Sequence, residues 1–508
     1  MAKYKSYNYS QTVMVPVSLE DQLMEGTLEL AIHTLVEGRL GVSRFDERYK
    51  NDETGCKAYN PKILLKIILL GYARGINTSR KLERACKENV VFMALSCGQQ
   101  PDHSTIAGFV SSLKEEIQSL FRDVLLTCEE MGLLGGTEFS LDGCKLPSNA
   151  SKRWSGTFGT LKEKKEKLER RVGHLLEEQV EADKREARDE KEKAGRANYI
   201  EKLKKQAARI AEFLEKNEPK PGKQYKEVRS NVTDNESAMM TTSHGTMQGY
   251  NGQVLVDAKH QVIVEGEAFG SGQDHYHLEP VVAGAQENME GIGKGEDYFK
   301  DAILTADTAY HSGENIKRCE EEGIDAYIPD KDFRKRHPGL AVKQSSVASR
   351  RRKFRSEDFR YDEQTDAYEC PMGKRLKLDT GKVKANWGMV YRRYYADARD
   401  CEVCTEREGC ISKRGKRGKR RCLMIPFAAS GRNYSHEMAL KIDTDRGREI
   451  YPHRMKTVEP VFANIRTQKR LDRFTLRGKV KVNIQWLLYC MVHNIEKIAN
   501  FGSAFAME

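Results

Sequence analysis

No stretch of the chain reaches the roughly 18 consecutive apolar residues that a membrane-spanning helix needs. Residues 1–17 have neither the apolar centre nor the small-residue cleavage site of a secretory signal. Both absences point to the cytoplasm, a reducing compartment where disulfides are rare. The 12 cysteines are therefore expected as thiols, and a local cluster of them points to a metal sooner than to disulfides. Acidic residues do not balance the basic ones: 86 Lys and Arg stand against 75 Asp and Glu, a formal charge of +11. A basic chain suits a polyanionic partner, with nucleic acid the first candidate and a merely solvated basic surface the alternative. At 508 residues the chain is long enough for two to four domains.

Residues 1–135 read as mostly helical. NPKILLKIILLGYARG is apolar all round and predicts a buried helix. TSRKLERACKENVVFMAL and STIAGFVSSLKEEIQSLF predict two more. Three short helices suit a helix-turn-helix-like DNA-binding module or a plain packing and dimerisation domain. EFSLDGCKL, residues 138–146, alternates like a strand that ends in a turn. Residues 158–216 carry Leu161, Leu168 and Leu175 at heptad spacing, then Ile200, Leu203, Ala207, Ile210 and Leu214, with Gly195 between the two stretches. That pattern predicts two long helices folded back as an antiparallel coiled-coil hairpin. From 249 onward, strands and helices alternate through AILTADTAY and IDAYIPD, which predicts an α/β sheet with helices on its faces. Residues 331–440 are basic and cysteine-bearing, and the chain turns helical again after 445.

Three acidic residues fit one chemistry. In-line phosphoryl transfer is served by two metal ions roughly 3.5–4 Å apart, and Mg²⁺ prefers a few carboxylate oxygens plus water. Asp142 follows Phe139-Ser140-Leu141, and Asp307 ends the apolar run AILTA. Both suit strand ends at the carboxyl edge of an open sheet, where ligands bind. Glu459 lies in TVEPVFANI, read as a helix start with Pro460 in its first turn. Spacing alone does not single these out from other acidic residues, since an aspartate at a strand end is often just a helix cap.

Several segments together resemble the DDE transposases of bacterial insertion sequences. They are YNPKILLKIILLGYARGINTSRKLE and PDHSTIAGF near the start, SLDGCKLPSNASK around Asp142, and QGYNGQVLVDAKHQVIV. LTADTAYHSGENI surrounds Asp307, and RMKTVEPVFANIRTQKRLDRFTLRGKVKVNIQWLLYCMVHNIEKI surrounds Glu459. The likeness spans nearly the whole chain and is to a branch with a helical N-terminal domain and a cysteine-bearing insertion. It implies an RNase H-like mixed α/β sheet core made of residues 136–157, 222–343 and 440–508. Around that core it implies a helical N-terminal domain over 1–135, a helical hairpin insertion over 158–221 and a basic cysteine-rich insertion over 344–439. It further implies metal-dependent strand cleavage and strand transfer, with Asp142, Asp307 and Glu459 holding two Mg²⁺ ions that Mn²⁺ can replace. The family's terminal signature is Tyr, two residues, Arg, three residues, Glu, six residues, Lys. Tyr451 and Arg454 keep the first spacing, but four residues separate Arg454 from Glu459, and Arg466 stands in place of the lysine. These three would touch DNA near the cut, unless Arg454 and Arg466 are surface charge or bridge to a neighbour. Glu449 is the fallback third carboxylate.

Cys401 and Cys404 form a CxxC pair; with Cys410 and Cys370 they could close a structural Zn²⁺ site, with Cys422 as a substitute ligand. The basic runs Arg350-Arg351-Arg352-Lys353 and SKRGKRGKRR, including Lys413, Arg414, Lys416 and Arg417, suit phosphate contacts that read no sequence. His275, His277 and His311 are expected to be surface or capping residues. The expected partners are double-stranded DNA, as terminal inverted repeats and target, and further copies of the chain as a homodimer or larger assembly on DNA, at the bacterial nucleoid. A nuclease without strand transfer and a catalytically inactive DNA-binding protein are the rival readings.

Overall fold

A computed structural model describes residues 17–49, 57–183, 190–222, 227–242, 245–336, 354, 358–362, 364–384, 390–411, 420–426 and 434–502. The chain divides into two compact units, one of residues 1–329 and 445–508, the other of residues 330–444.

The first unit opens with helices α1 (Leu28–Gly38), α2 (Pro61–Ala73), α3 (Ser79–Glu88), α4 (Val90–Leu95), α5 (His103–Ser112) and α6 (Ile117–Glu130). α2 is buried on nearly every side, as its apolar composition requires. The segment predicted as one helix after it is two. The Asn89 side chain accepts from the amides of Val91 and Phe92, so it caps α4 and ends α3. The third predicted helix is likewise split, into α5 and α6.

The sheet begins with β1 (Glu138–Pro147). Short strands β2 (Ser155–Gly156) and β3 (Ser230–Asn231) pair at the base of a hairpin formed by α7 (Phe158–Asp183) and α8 (Glu190–Lys216). Leu161, Val172 and Leu175 of α7 are buried with Ile200, Leu203 and Ile210 of α8, the seam that the heptad spacing predicts. Gly195 lies inside α8 and not between the helices.

Strands β4 (Ala238–Thr242), β5 (Gly245–Asp257) and β6 (Ile263–Phe269) follow, then α9 (Leu278–Gly291), β7 (Ile303–Ala306), α10 (Gly313–Glu321) and β8 (Asp325–Tyr327). The sheet order is β4-β5-β1-β7-β8, with β6 continuing β4's edge along β5. β1 runs antiparallel to β5 and parallel to β7, and β7 runs parallel to β8. Counted from β1 through β5, β6, β7 and β8, the order is 3-2-1-4-5 with one hairpin and three parallel strands, the RNase H-like arrangement.

The second unit holds a short helix α11 (Phe333–Arg336) and a five-stranded antiparallel sheet. Its strands are β9 (Arg360–Asp362), β10 (Ala367–Glu369), β11 (Arg375–Lys384), β12 (Val390–Ala396) and β13 (Cys422–Pro426). Helices α12 (Ala398–Glu402), α13 (Arg407–Cys410) and α14 (Tyr434–Ile442) belong to the same unit. The basic runs 350–353 and 412–419, with Arg350, Arg351, Arg352, Lys353, Lys413, Arg414, Lys416 and Arg417, lie outside the described residues.

The chain then returns to the first unit as α15 (Asp445–Ile450), α16 (His453–Ala463) and α17 (Lys479–Phe501). α17 packs on α6, α2 and β6 and carries the core of the unit, so the N-terminal helices are fused to the sheet and do not form a separate body. Its Trp486 is fully buried and donates its indole N–H to the Gln253 carbonyl at 3.0 Å. Gly252 makes room for that ring, since a methyl group at residue 252 would sit 2.9 Å from the indole carbons. Gly252→Ala is expected to cost about 1–3 kcal/mol by overpacking, read as a lower urea midpoint with an unchanged slope. An unchanged midpoint would show that the indole has space to move.

Candidate active site

Strand register brings the two aspartates together. β1 and β7 are paired in parallel up to Leu141 beside Ala306. The next residue on each strand is an aspartate, so Asp142 and Asp307 stand level with one another where the parallel ladder stops, about 4.8 Å apart in strand spacing. Asp142 is not at a strand end as predicted, because β1 continues to Pro147 on its antiparallel partner β5. It marks the point at which β1 loses one of its two neighbours. Asp307 follows the last residue of β7 and caps a short turn, accepting from the Ala309 amide at 2.7 Å.

Both carboxyls are raised above the usual carboxylate range, first by burial. The Asp307 charge adds to the effect on Asp142. Arg454, from the first turn of α16, opposes the rise at both. Its Nη1 donates to Asp142 Oδ2 at 2.8 Å, and its side chain is only 14% exposed. Arg454 is thus the bridge to a neighbour that the sequence left open, and it sits where a cation neutralises a carboxylate pair. Its Nε is buried without a hydrogen-bond partner.

Glu459 is exposed on α16. It lies five residues beyond Arg454, about 140° around the helix at 100° per residue. Pro460 lies well inside α16, not in the first turn as predicted. A proline cannot bond the carbonyl four residues back, and that carbonyl, of Lys456, accepts instead from Gln261 Nε2 at 3.0 Å. Among the described residues no three His, Cys, Asp or Glu side chains converge tightly enough to hold a metal ion, so Glu459 is not gathered with the two aspartates. Glu449 is exposed on α15 and is not gathered either. Tyr451, half-buried, is within electrostatic reach of Arg454. Arg466 is exposed in a π-helical turn, Asn464–Gln468, a form that recurs at functional sites. Its charge reaches Cys144, two residues beyond Asp142 on the same strand.

One carboxylate was missed by sequence reasoning. Asp274 sits just after β6, and its charge is felt by Asp307. Its Oδ1 accepts from Asn251 at 2.6 Å and Gln253 at 3.1 Å, and Lys145 lies 3.7 Å from Oδ2. Gln253 also accepts from the buried Tyr310 hydroxyl. Pleating puts Lys145 and Gln253 on the sheet face opposite Asp142. The signal lay in QDHYHLEP, where the histidines drew attention and the aspartate did not. His277 of that segment stands at the N-cap position of α9, as one of the two expectations had it, but is buried there and caps with no side-chain bond. It stacks on Phe269 at 4.1 Å and shares a 2.6 Å hydrogen bond with Ser271. His311 bonds the Ile328 carbonyl at 2.8 Å.

In the second unit, Cys370, Cys401, Cys404 and Cys410 line one cavity of about 30 Å³. The Lys374 amide donates to Cys370 Sγ at 3.3 Å and the Arg421 amide to Cys401 Sγ at 3.5 Å. Cys422 does not line the cavity; its thiol points to the Leu423 carbonyl on β13.

No helix among the described residues is long and apolar enough to cross a membrane. Comparison with known proteins finds no match among curated sequences. Two family models match: one described as a transposase DDE domain over residues 369–499, which contains Arg454, Glu459 and Arg466, and one described as a transposase domain (DUF772) over residues 17–112, which contains α1 to α5. Together with the RNase H-like sheet, these matches indicate an enzyme that acts on DNA, a DDE transposase of an insertion sequence.

Proposed function

We propose that this transposase cuts and rejoins DNA at the ends of its element by two-metal, in-line phosphoryl transfer, with Asp142 and Asp307 as the paired ligands. The observation that carries the reading is their register: two desolvated carboxylates, level where adjacent parallel strands part, with the Arg454 guanidinium opposing their repulsion at both and Lys145 opposing it at Asp307. Such a donor set fits hard cations such as Mg²⁺ or Mn²⁺. When bound, two ions would supply electrostatic stabilisation of the attacking and leaving oxygens. Arg454 neutralises and orients Asp142, and Tyr451 and Arg466 flank it for DNA near the cut. Glu459 is the third ligand by resemblance, on the helix that covers Asp142. The substrates are the element's terminal inverted repeats and a target duplex, and two copies or more would hold two ends in one complex on the nucleoid in the cytoplasm.

The test uses purified protein and a plasmid carrying the element ends, with Mg²⁺ or Mn²⁺, reading cleavage and joining on a gel. Cut ends that become joined, with both products lost in Glu459→Gln, support the full reading. Cleavage without joining favours a nuclease. Binding with no cleavage under either metal favours an inactive DNA-binding protein. Activity that survives Glu459→Gln but not Asp274→Asn would move the third carboxylate to Asp274.

The four cysteines are proposed to hold a structural Zn²⁺. The four thiols line one cavity of about 30 Å³ without converging tightly as they stand; a bound ion would draw them inward into a closed four-thiolate site, which leaves no open position for catalysis. Gly373, at φ +71, makes the tight turn that aims the Lys374 amide back at Cys370.

A further inference from the structure

The loop between α16 and α17 alternates buried anchors with exposed arginines. Lys469, Leu471 and Phe474 are fully buried. Lys469 bonds Glu496 and Asn464, and Phe474 packs edge-on against Tyr250 and Trp486. Two hydrogen bonds tie the loop to the end of β1 and the turn after it: the Phe474 amide donates to the Pro147 carbonyl at 2.9 Å, and the Asn149 side chain donates from Nδ2 to the Thr475 carbonyl at 2.8 Å. Arg470 and Arg473 between these anchors, and Arg466 and Arg477 on either side of them, all face solvent. Arg477 spends only its Nε, on the Asn149 carbonyl at 2.6 Å. Arg466, Arg470 and Arg473 have no ion-pair partner among the described residues.

Arg470 adopts φ +55, a left-handed conformation rare for a residue with a side chain and held only where its surroundings impose it. The Arg470 side chain lies against the turn between α2 and α3. Gly75 there has no side chain, and a Cβ at that position would lie 3.0 Å from Arg470 Cδ. Asn77, two residues on, bonds the Tyr489 hydroxyl of α17 at 3.2 Å. The segment of the N-terminal helices thus braces the arginine loop. Arg466 and Arg470 also line an open cleft of about 620 Å³ with Phe462, Ala463, Thr467 and Asp472.

We propose that Arg470, Arg473 and Arg477, continuing from Arg466, form a pre-organised cationic ridge that grips the phosphate backbone of duplex DNA beside the Asp142–Asp307 pair. The proposal rests on the transposase reading for the identity of the polyanion. Exposed guanidiniums at fixed positions present donors that suit phosphate oxygens, and the Phe474–Pro147 bond fixes their loop to the strand that carries Asp142. The ridge positions DNA without reading its bases.

The test measures binding of a fluorescein-labelled duplex oligonucleotide by anisotropy, without added divalent metal, between about 50 and 200 mM salt. Arg470→Asn combined with Arg473→Gln is expected to weaken binding about tenfold or more, equally for any sequence. It should also flatten the slope of log affinity against log salt by about 1.8, two contacts at about 0.9 each. Arg473→Gln alone, which breaks no side-chain bond among the described residues, should flatten it by about 0.9. Lys202→Gln with Lys204→Gln, an equal charge loss on the exposed face of α8, should leave the slope unchanged. An unaltered slope in the ridge variants, or an equal change in the α8 control, overturns the ridge while leaving the transposase reading intact. Absence of duplex binding by the wild type overturns both.

Discussion

Asp307→Asn is expected to abolish strand cleavage, by about 10³-fold or more, and at the same time to raise the melting temperature at neutral pH. Asparagine keeps the acceptor that caps the Ala309 amide but cannot carry the charge a metal requires. The stability effect follows from burial. The Asp307 carboxyl is raised in the folded chain, so the fold binds its proton more tightly than the unfolded chain does. Its ionised form therefore weighs against folding. That penalty is fully present above the folded value and disappears as pH falls into the ordinary carboxylate range. The stabilisation by Asn should shrink over the same interval, and calorimetry at several pH values measures it. Asp142→Asn should lose as much activity but gain less stability, because it strips the half-buried Arg454 of its bonded carboxylate. If Asp307→Asn keeps cleavage, or melts lower at neutral pH, the desolvated-pair account of the site fails.

The parts of this site that were legible in the sequence are those set by local pattern. AILTAD announces a strand with an acid at its end, and β7 with Asp307 is that strand. The heptads of 158–216 announce a hairpin, and its buried seam is where they place it. What stayed hidden depended on pairing between distant segments. The alternation of EFSLDGCKL announces a strand over 138–146, close to the observed β1, but not that Asp142 lies where its parallel neighbour stops while a nine-residue antiparallel partnership with β5 carries the strand on. Likewise nothing local says that Pro460 can sit inside α16, because the carbonyl it leaves open is taken by Gln261, some two hundred residues away. Asp274 escaped for a related reason: it reaches Asp307 from a loop after β6, and its amide and ammonium partners come from β5 and β1. Resemblance supplied Glu459, and only the resemblance still places it in the site, since the helix exposes it and gathers it with no other ligand.

Removing zinc should produce the largest structural effect. Among the described residues, the buried apolar cluster around the sheet of the second unit is Phe359, Leu376, Tyr394, Ala396 and Leu423, with Phe354, Tyr368, Leu378 and Ile425 packed partly buried against it; small cores of this kind generally need a metal or a cross-link. Cys370, Cys401 and Cys410 pack directly against that core, so an ion at their cavity would tie the β10–β11 turn to α12 and α13. Structural zinc contributes about 10–16 kcal/mol to such small folds at neutral pH. Protein purified without chelator is expected to release one zinc per chain on thiol titration, and Cys404→Ser to release far less. Chelation should then open residues 330–444 to limited proteolysis while the RNase H-like unit stays resistant, because its core of α17 and the sheet contains none of the four cysteines at the cavity. Cys422→Ser serves as the control that should retain the ion, since its thiol turns away from the cavity. Metal-free protein with four freely reactive thiols and an intact, protease-resistant second unit would show that the sheet stands on its own packing and that the cysteines are ordinary buried thiols.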